Sequence, residues 1–118
     1  MSIIAAPENA EAGVKQIELM ILAALGEGPV HGYALAQRVA ELTGGRLEVR
    51  PGNLYRVLDR MEQRGWVKES DAGGATDDER RRYYSLTGAG RRAADAELNM
   101  YADVLARTRG LREQRADG

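Results

Sequence analysis

A chain of 118 residues is one domain's worth of polypeptide, and with no phenylalanine its core must come mostly from Leu, Ile, Val, Met and Ala. The absence of cysteine excludes disulfides, thiol catalysis and thiolate-held metals, and a single histidine excludes a histidine-based metal cluster. No apolar run approaches the roughly 18 residues of a membrane span, and the first residues lack the basic-then-apolar pattern of a signal peptide, so a soluble cytoplasmic protein is expected, with no membrane partner.

The net charge of −1 hides an uneven distribution. Residues 1–45 hold two Lys/Arg against five Asp/Glu, residues 46–92 eleven against eight, and residues 93–118 four against five. The positive excess is therefore confined to the middle of the chain, where it can attract phosphate in a salt-sensitive way. No phosphate-cradling glycine motif, metal-ligand spacing or nucleophile–base pair is present, which points away from an enzyme and from any cofactor. Asp77 and Asp78 lack a companion carboxylate cluster and receive no catalytic or metal role.

Residues 1–12 have no period and are read as a loose arm. From Val14 a helix begins. Val14, Ile17, Ile21, Ala24 and Leu25 line one face, and Leu19, Met20 and Leu22 widen it until little can face water, so this helix should be central. Gly26-Glu27-Gly28-Pro29 ends it. His31 then leads into a second helix over 32–43, with Leu35, Val39 and Leu42 inward and Gly44-Gly45 as its stop; helix entry or core hydrogen bonding is the expected role of His31. Residues 46–50 alternate polar and apolar, which suits a short edge strand with Leu47 and Val49 turned inward.

The next stretch organises the rest. Leu54, Val57, Leu58 and Met61 recur at i, i+3, i+4 and i+7, while Asn53, Arg56, Arg60 and Arg64 fall on the opposite side of a helix that Pro51 opens and Gly65 closes. Such a helix, apolar behind and rich in Arg and Asn in front, is suited to a DNA major groove, although many surface helices share the pattern for solvation alone. Arg56 and Arg60 are the expected base-reading residues, and Lys15, Arg50, Arg80, Arg81 and Arg82 the expected phosphate contacts.

Residues 66–69 and 82–86 read as antiparallel strands, with Tyr84 and Leu86 facing the core and a polar wing between them. The acids at 77–79 can pair with Arg80 to Arg82 in the free protein. Trp66 is read as a packing residue, with a ligand-stacking platform as the alternative. Tyr55 is read equally as core edge or phosphate donor, and Tyr33 leans towards packing with its hydroxyl free to reach phosphate.

Thr87 is a suitable N-cap for a last helix over 88–111. Ala94, Leu98, Tyr101 and Leu105 form one apolar stripe and Met100, Val104 and Leu111 another. One stripe is expected to pack on the first helix of its own chain and the other on a second copy, giving a homodimer interface at Leu98, Met100, Tyr101, Val104 and Leu105. Residues 112–118 are read as a disordered tail.

In order, Ile21 to Leu25, Gly28-Pro29-Val30-His31-Gly32-Tyr33, Pro51-Gly52-Asn53-Leu54-Tyr55, Gly65-Trp66-Val67, Arg82-Tyr83-Tyr84-Ser85-Leu86-Thr87 and Gly90 make the chain resemble the PadR family of winged helix-turn-helix transcription regulators. The resemblance implies a mainly α fold with a small β-wing: a winged helix-turn-helix domain over 13–87 followed by a C-terminal dimerisation helix, as in the short members. It implies a homodimer on a palindromic double-stranded DNA operator, usually as a repressor, with release by a small-molecule effector or a stress signal in some members. It also puts Tyr33, Asn53 and Tyr55 near the DNA and Arg80 to Arg82 at a basic wing. Where the family commonly has Ser before the Pro-Gly pair and Thr after it, this chain has Arg50 and Asn53. Arg50 lacks a capping acceptor, a loss of about 1 kcal/mol, and Asn53 can bond an adenine edge twice where Thr cannot. The reading kept beside this one is a winged-helix protein-interaction module whose basic face meets an acidic protein partner.

Overall fold

The computed structural model describes residues 13–71 and 82–117, the last two and Asp71 by backbone only, and among the described residues seven elements are built around one apolar cluster. Helix α1 (Gln16–Ala24) is central because its sequence leaves it no polar side: Leu19, Ile21, Leu22 and Ala24, with Leu25 just beyond, are all buried. Strand β1 (Val30–His31) follows the Gly28 turn and runs straight into α2 (Gly32–Leu42). Helix α2 contributes Leu35 and Val39 to the core. It ends where Gly44 and Gly45 take left-handed φ of 63° and 81°, with the Gly45 amide returning to the Ala40 carbonyl at 2.8 Å.

Helix α3 (Pro51–Gln63) starts with Pro51 in its first turn and buries Leu54, Val57, Leu58 and Met61, the predicted stripe. Its Arg50 N-cap supplies no side-chain bond, so the missing cap of the sequence is also missing in the fold. At the far end Gly65 has φ 79°, its amide bonds the Glu62 carbonyl at 2.9 Å, and the Trp66 amide bonds the Met61 carbonyl at 3.0 Å. These two bonds define a Schellman stop.

Strands β2 (Val67–Asp71) and β3 (Arg82–Leu86) pair antiparallel with Val67 opposite Leu86 and Asp71 opposite Arg82. On its other edge β3 pairs with β1, Val30 opposite Tyr84 and His31 opposite Tyr83, giving the order β1-β3-β2. Helix α4 (Gly88–Asp117) then spans 30 residues, roughly 45 Å at helical rise. Ala94 is buried, and Ala89 and Ala93 pack on the core.

Four expectations are corrected. Residues 46–50 form no strand; Leu47 and Val49 do turn inward, but the place beside β3 is taken by Val30–His31. Leu42, expected in the core, is 56% exposed, because α2 ends there and outruns the residues it packs on. The helix does not stop at 111: residues 112–117 are helical, as the good helix formers Arg112, Glu113, Gln114 and Arg115 allow. The chain's own core covers only the first turns of α4, so Leu98, Tyr101 and Leu105 are exposed along with Met100, Val104 and Leu111. Neither stripe is packed on α1 beyond Ala94 because α1 has only nine residues.

Candidate nucleic-acid interface

The outer face of α3 follows from its inner one. With Leu54, Val57, Leu58 and Met61 locked inward, 3.6-residue periodicity turns Arg56 away from the core and puts Asn53 and Arg60 on one flank. All three are exposed, and neither Arg56 nor Arg60 has an ion pair or side-chain hydrogen bond with another described residue. Their guanidinium groups are therefore available to acceptors outside the chain. Asp59 shares the outer face, a carboxylate that the focus on arginine passed over and that the same periodicity locates. It tempers the local positive field and can itself accept from a cytosine amino group.

Arg64 leaves this face. It lies past the last helical residue, and its Nη1 donates to the Gly13 carbonyl at 2.9 Å and approaches Glu18 Oε1 at 3.5 Å. Its guanidinium carbon stands 4.8 Å from the centroid of the Trp66 ring. The expectation that Arg64 points outward with Asn53, Arg56 and Arg60 is thus corrected: its backbone is still helical at the C-cap, its amide on the Arg60 carbonyl at 3.1 Å, but the Gly13 carbonyl, Glu18 and Trp66 draw its side chain off the outer face. Its partner Glu18 was missed, although it is only 1% exposed. The signal was the spacing from Lys15 to Glu18, N-cap to third helical residue, and the Lys15 amide does donate to Glu18 Oε1 at 2.9 Å.

The N-terminal end of α3 meets the start of α2. Tyr55 is half-buried over Gly32, where an added Cβ would lie 2.7 Å from its hydroxyl and 2.8 Å from its ring. Only glycine at 32 lets α2 and the Tyr55 ring approach this closely. Tyr33 is 72% exposed, which corrects the lean towards packing. Gly32, Tyr33, Gln37, Glu48, Pro51 and Tyr55 border a cleft of about 370 Å³. His31, the N-cap of α2, takes the Ala34 amide on Nδ1 at 3.2 Å, and its ring meets Tyr83 edge-on at 5.6 Å between centroids.

The other predicted contacts divide. Exposed Arg50 stands immediately before α3. Exposed Lys15 begins α1 beside the Arg64 contacts, at the opposite end of α3 from Asn53, about 16 Å away at helical rise. Arg82 is exposed, with its Nε 3.0 Å from Glu69 Oε2 across the strand pair. Glu69, thirteen residues away in sequence, takes the place expected for the acids at 77–79, and an exposed pair of this kind is worth about 0–1 kcal/mol, weak enough for a phosphate to displace. Arg80, Arg81 and the acids at 77–79 lie outside the described residues. Beneath the wing base Tyr84 is fully buried, and its hydroxyl has no hydrogen-bond partner among the described residues. Burial pushes this hydroxyl above the ordinary tyrosine value, with the neighbouring Arg82 guanidinium acting in the opposite direction. Trp66 is buried between Arg64 and α4, the expected packing role.

Two helices joined by a glycine stop and an extended connection, the second with its polar face open, and a strand pair behind them define a winged helix-turn-helix protein. Residues 21–96 match the model of the transcriptional regulator PadR-like family, and the chain belongs to that family. A PadR family transcription regulator from Clostridium difficile shares the fold with a TM-score of 0.71 at 23% identity, over 82% of this chain and 98% of its own. PadR of Bacillus subtilis, solved in complex with operator DNA, gives a TM-score of 0.62 at 21% identity, over 70% of this chain and 45% of its own. A 37.1 kDa transposon protein of Streptomyces fradiae is 34% identical over 90 residues, 76% of this chain, which spans only 24% of that relative. The family and its solved neighbours are transcription regulators. No helix among the described residues is long and apolar enough to cross a membrane.

Proposed function

We propose that the chain acts in the cytoplasm as a homodimeric repressor that binds a palindromic DNA operator by placing α3 of each copy in successive major grooves, about 34 Å apart. The observation that carries this reading is the polar side of α3, where Arg56 opposite the fully buried stripe and Arg60 on its flank are exposed, with no ion pair or side-chain hydrogen bond to a described residue. Operator binding by the Bacillus subtilis neighbour supports the choice of DNA as partner. The dimer is supported by the exposed Leu98, Met100, Tyr101, Val104, Leu105 and Leu111 on a helix that outruns its own domain. Repression is what the family resemblance implies. Arg56 and Arg60 are assigned to base edges, Asn53 to an adenine, and Arg50, Lys15, Tyr33, Tyr55 and Arg80 to Arg82 to the backbone.

Gel retardation on the promoter of its own gene tests the reading. A retarded band should weaken steeply with salt, log affinity falling by about 0.9 per log salt for each phosphate neutralised. Arg56→Ala or Arg60→Ala should cost about 1 to 3 kcal/mol of affinity and alter preference at one base position. Unchanged affinity in both variants would mean that another face reads the DNA. The absence of a shift on any genomic fragment at low salt would overturn operator binding in favour of an acidic protein partner.

A further inference from the structure

The far end of α3 is joined to the near end of α4 through one side chain. The Schellman stop uses the Gly65 and Trp66 amides and leaves both of their carbonyls free to accept. Thr87, the residue before α4, fills them: its amide donates to the Trp66 carbonyl at 3.1 Å and its Oγ1 donates to the Gly65 carbonyl. The same Oγ1 accepts the Gly90 amide at 3.0 Å, capping α4, while the Thr87 carbonyl takes the Arg91 amide at 3.0 Å. One hydroxyl thus ties the glycine that stops α3 to the first turn of α4, which it caps.

The contact is also tight. At Gly90 an added Cβ would run into the Trp66 carbonyl oxygen, with the carbonyl carbon 2.8 Å and Cα 3.1 Å away. That backbone cannot retreat, because the Trp66 ring is buried with Arg64 stacked on it and Arg64 is bonded to the Gly13 carbonyl. Here the turn that follows α3, Gly65-Trp66, is packed backbone on backbone against the first turn of α4.

We infer that Thr87 and Gly90 are positioning residues that hold α3 at a set angle to α4, and so fix the spacing between operator half-sites that the dimer accepts. The inference rests on the dimer and operator of the preceding subsection. If copies join through α4, each reading helix reaches DNA through this joint, and play in the joint becomes play in the distance between them. A bivalent binder with a stiff frame loses its second contact when the sites move, whereas a loose one follows them.

The absence of cysteine makes the joint measurable in the full-length protein. Spin labels are placed at Gly52→Cys, where a side chain meets nothing within 4 Å, and at Asn99→Cys, on the side of α4 away from both apolar stripes. Labelled chains are diluted with unlabelled ones, so that electron–electron distances are read within one chain. Thr87→Val removes both hydroxyl bonds and should broaden the distance distribution; Thr87→Ser should restore it; Gly90→Ala should shift its centre. In parallel, duplexes selected by the wild-type protein from a random pool are bound with their spacer as selected or changed by one base pair. The wild-type protein should discriminate by about a hundredfold, the loss of avidity expected when geometry forbids the second contact, and Thr87→Val by roughly tenfold or less. An unchanged distance distribution in Thr87→Val and Gly90→Ala overturns the inference. So does a broadened one with equal affinity loss at every spacing, which would mark a purely structural joint. Failure of the wild-type protein to select any DNA would instead refute operator binding, and the distance measurement would still read the joint.

Discussion

Arg64→Ala and Arg56→Ala should separate folding from recognition, since one arginine stands on the outer face of α3, the other at its C-cap, and the sequence pattern alone treats them alike. Arg64 donates to the Gly13 carbonyl at 2.9 Å, lies 4.8 Å over Trp66 and approaches buried Glu18 at 3.5 Å. A hydrogen bond from a charged donor contributes about 1.5–3 kcal/mol, and a partly exposed cation–π contact about 0.5–1 kcal/mol. The Glu18 contact is long and Glu18 keeps the Lys15 amide, but its carboxylate is buried, so losing the cation beside it adds about 1 kcal/mol. These contributions overlap, and the Gly13 carbonyl can be rehydrated, so Arg64→Ala should destabilise by about 2 kcal/mol. For a domain of this size that lowers the thermal midpoint by roughly 5–15 °C. Arg56→Ala breaks no contact with a described residue and should change stability by less than about 0.5 kcal/mol while weakening operator binding. Urea unfolding followed by circular dichroism reads the first effect, and retardation titrations at fixed salt, in conditions where both variants are fully folded, read the second. Wild-type stability in Arg64→Ala together with a loss of affinity as large as that of Arg56→Ala would refute the assignment of Arg64 to the fold.

Leu98→Asp combined with Leu105→Asp should give monomers by analytical ultracentrifugation with the helix-turn-helix domain intact by circular dichroism, because both residues are exposed within one chain; a persistent dimer would move the seam elsewhere. Tyr84→Phe deletes a buried hydroxyl without a described partner and should leave stability at pH 7 unchanged or raised by up to about 1 kcal/mol. Because the folded-state value of Tyr84 is raised, its contribution is complete below the unfolded value near 10 and is lost as pH climbs through the folded value. The wild-type protein should therefore show an alkaline loss of stability in pH-jump unfolding that is smaller in Tyr84→Phe, and identical alkaline limbs would refute the role of Tyr84.

The helices were legible where repetition was long. Over α3, four apolar positions at helical spacing located both the buried stripe and the exposed Arg56 and Arg60, and Pro51 and Gly65 marked its ends. Short patterns failed. The alternation at 46–50 correctly turned Leu47 and Val49 inward, but parity does not name a hydrogen-bonding partner, and two residues at Val30–His31 are too few to show any pattern. Arg64 and Arg82 have partners remote in sequence, Gly13 for the first and Glu69 across the sheet for the second, which neither periodicity nor neighbouring charges reveal. The apolar stripes of α4 were visible in the sequence, but where the chain's own core releases that helix depends on the length of α1.

The order β1-β3-β2 has a consequence for solubility. Over Tyr83 and Tyr84, the most aromatic strand is hemmed in on both flanks, so a foreign chain finds no continuous rail there on which to add itself. What remains open on one side is a two-residue stub, and on the other the rim of β2, where Lys68 and Glu69 interrupt any apolar run. A molecule that exposes Leu98, Met100, Tyr101, Val104 and Leu105 on its last helix thus keeps its sheet from adding a second route to aggregation.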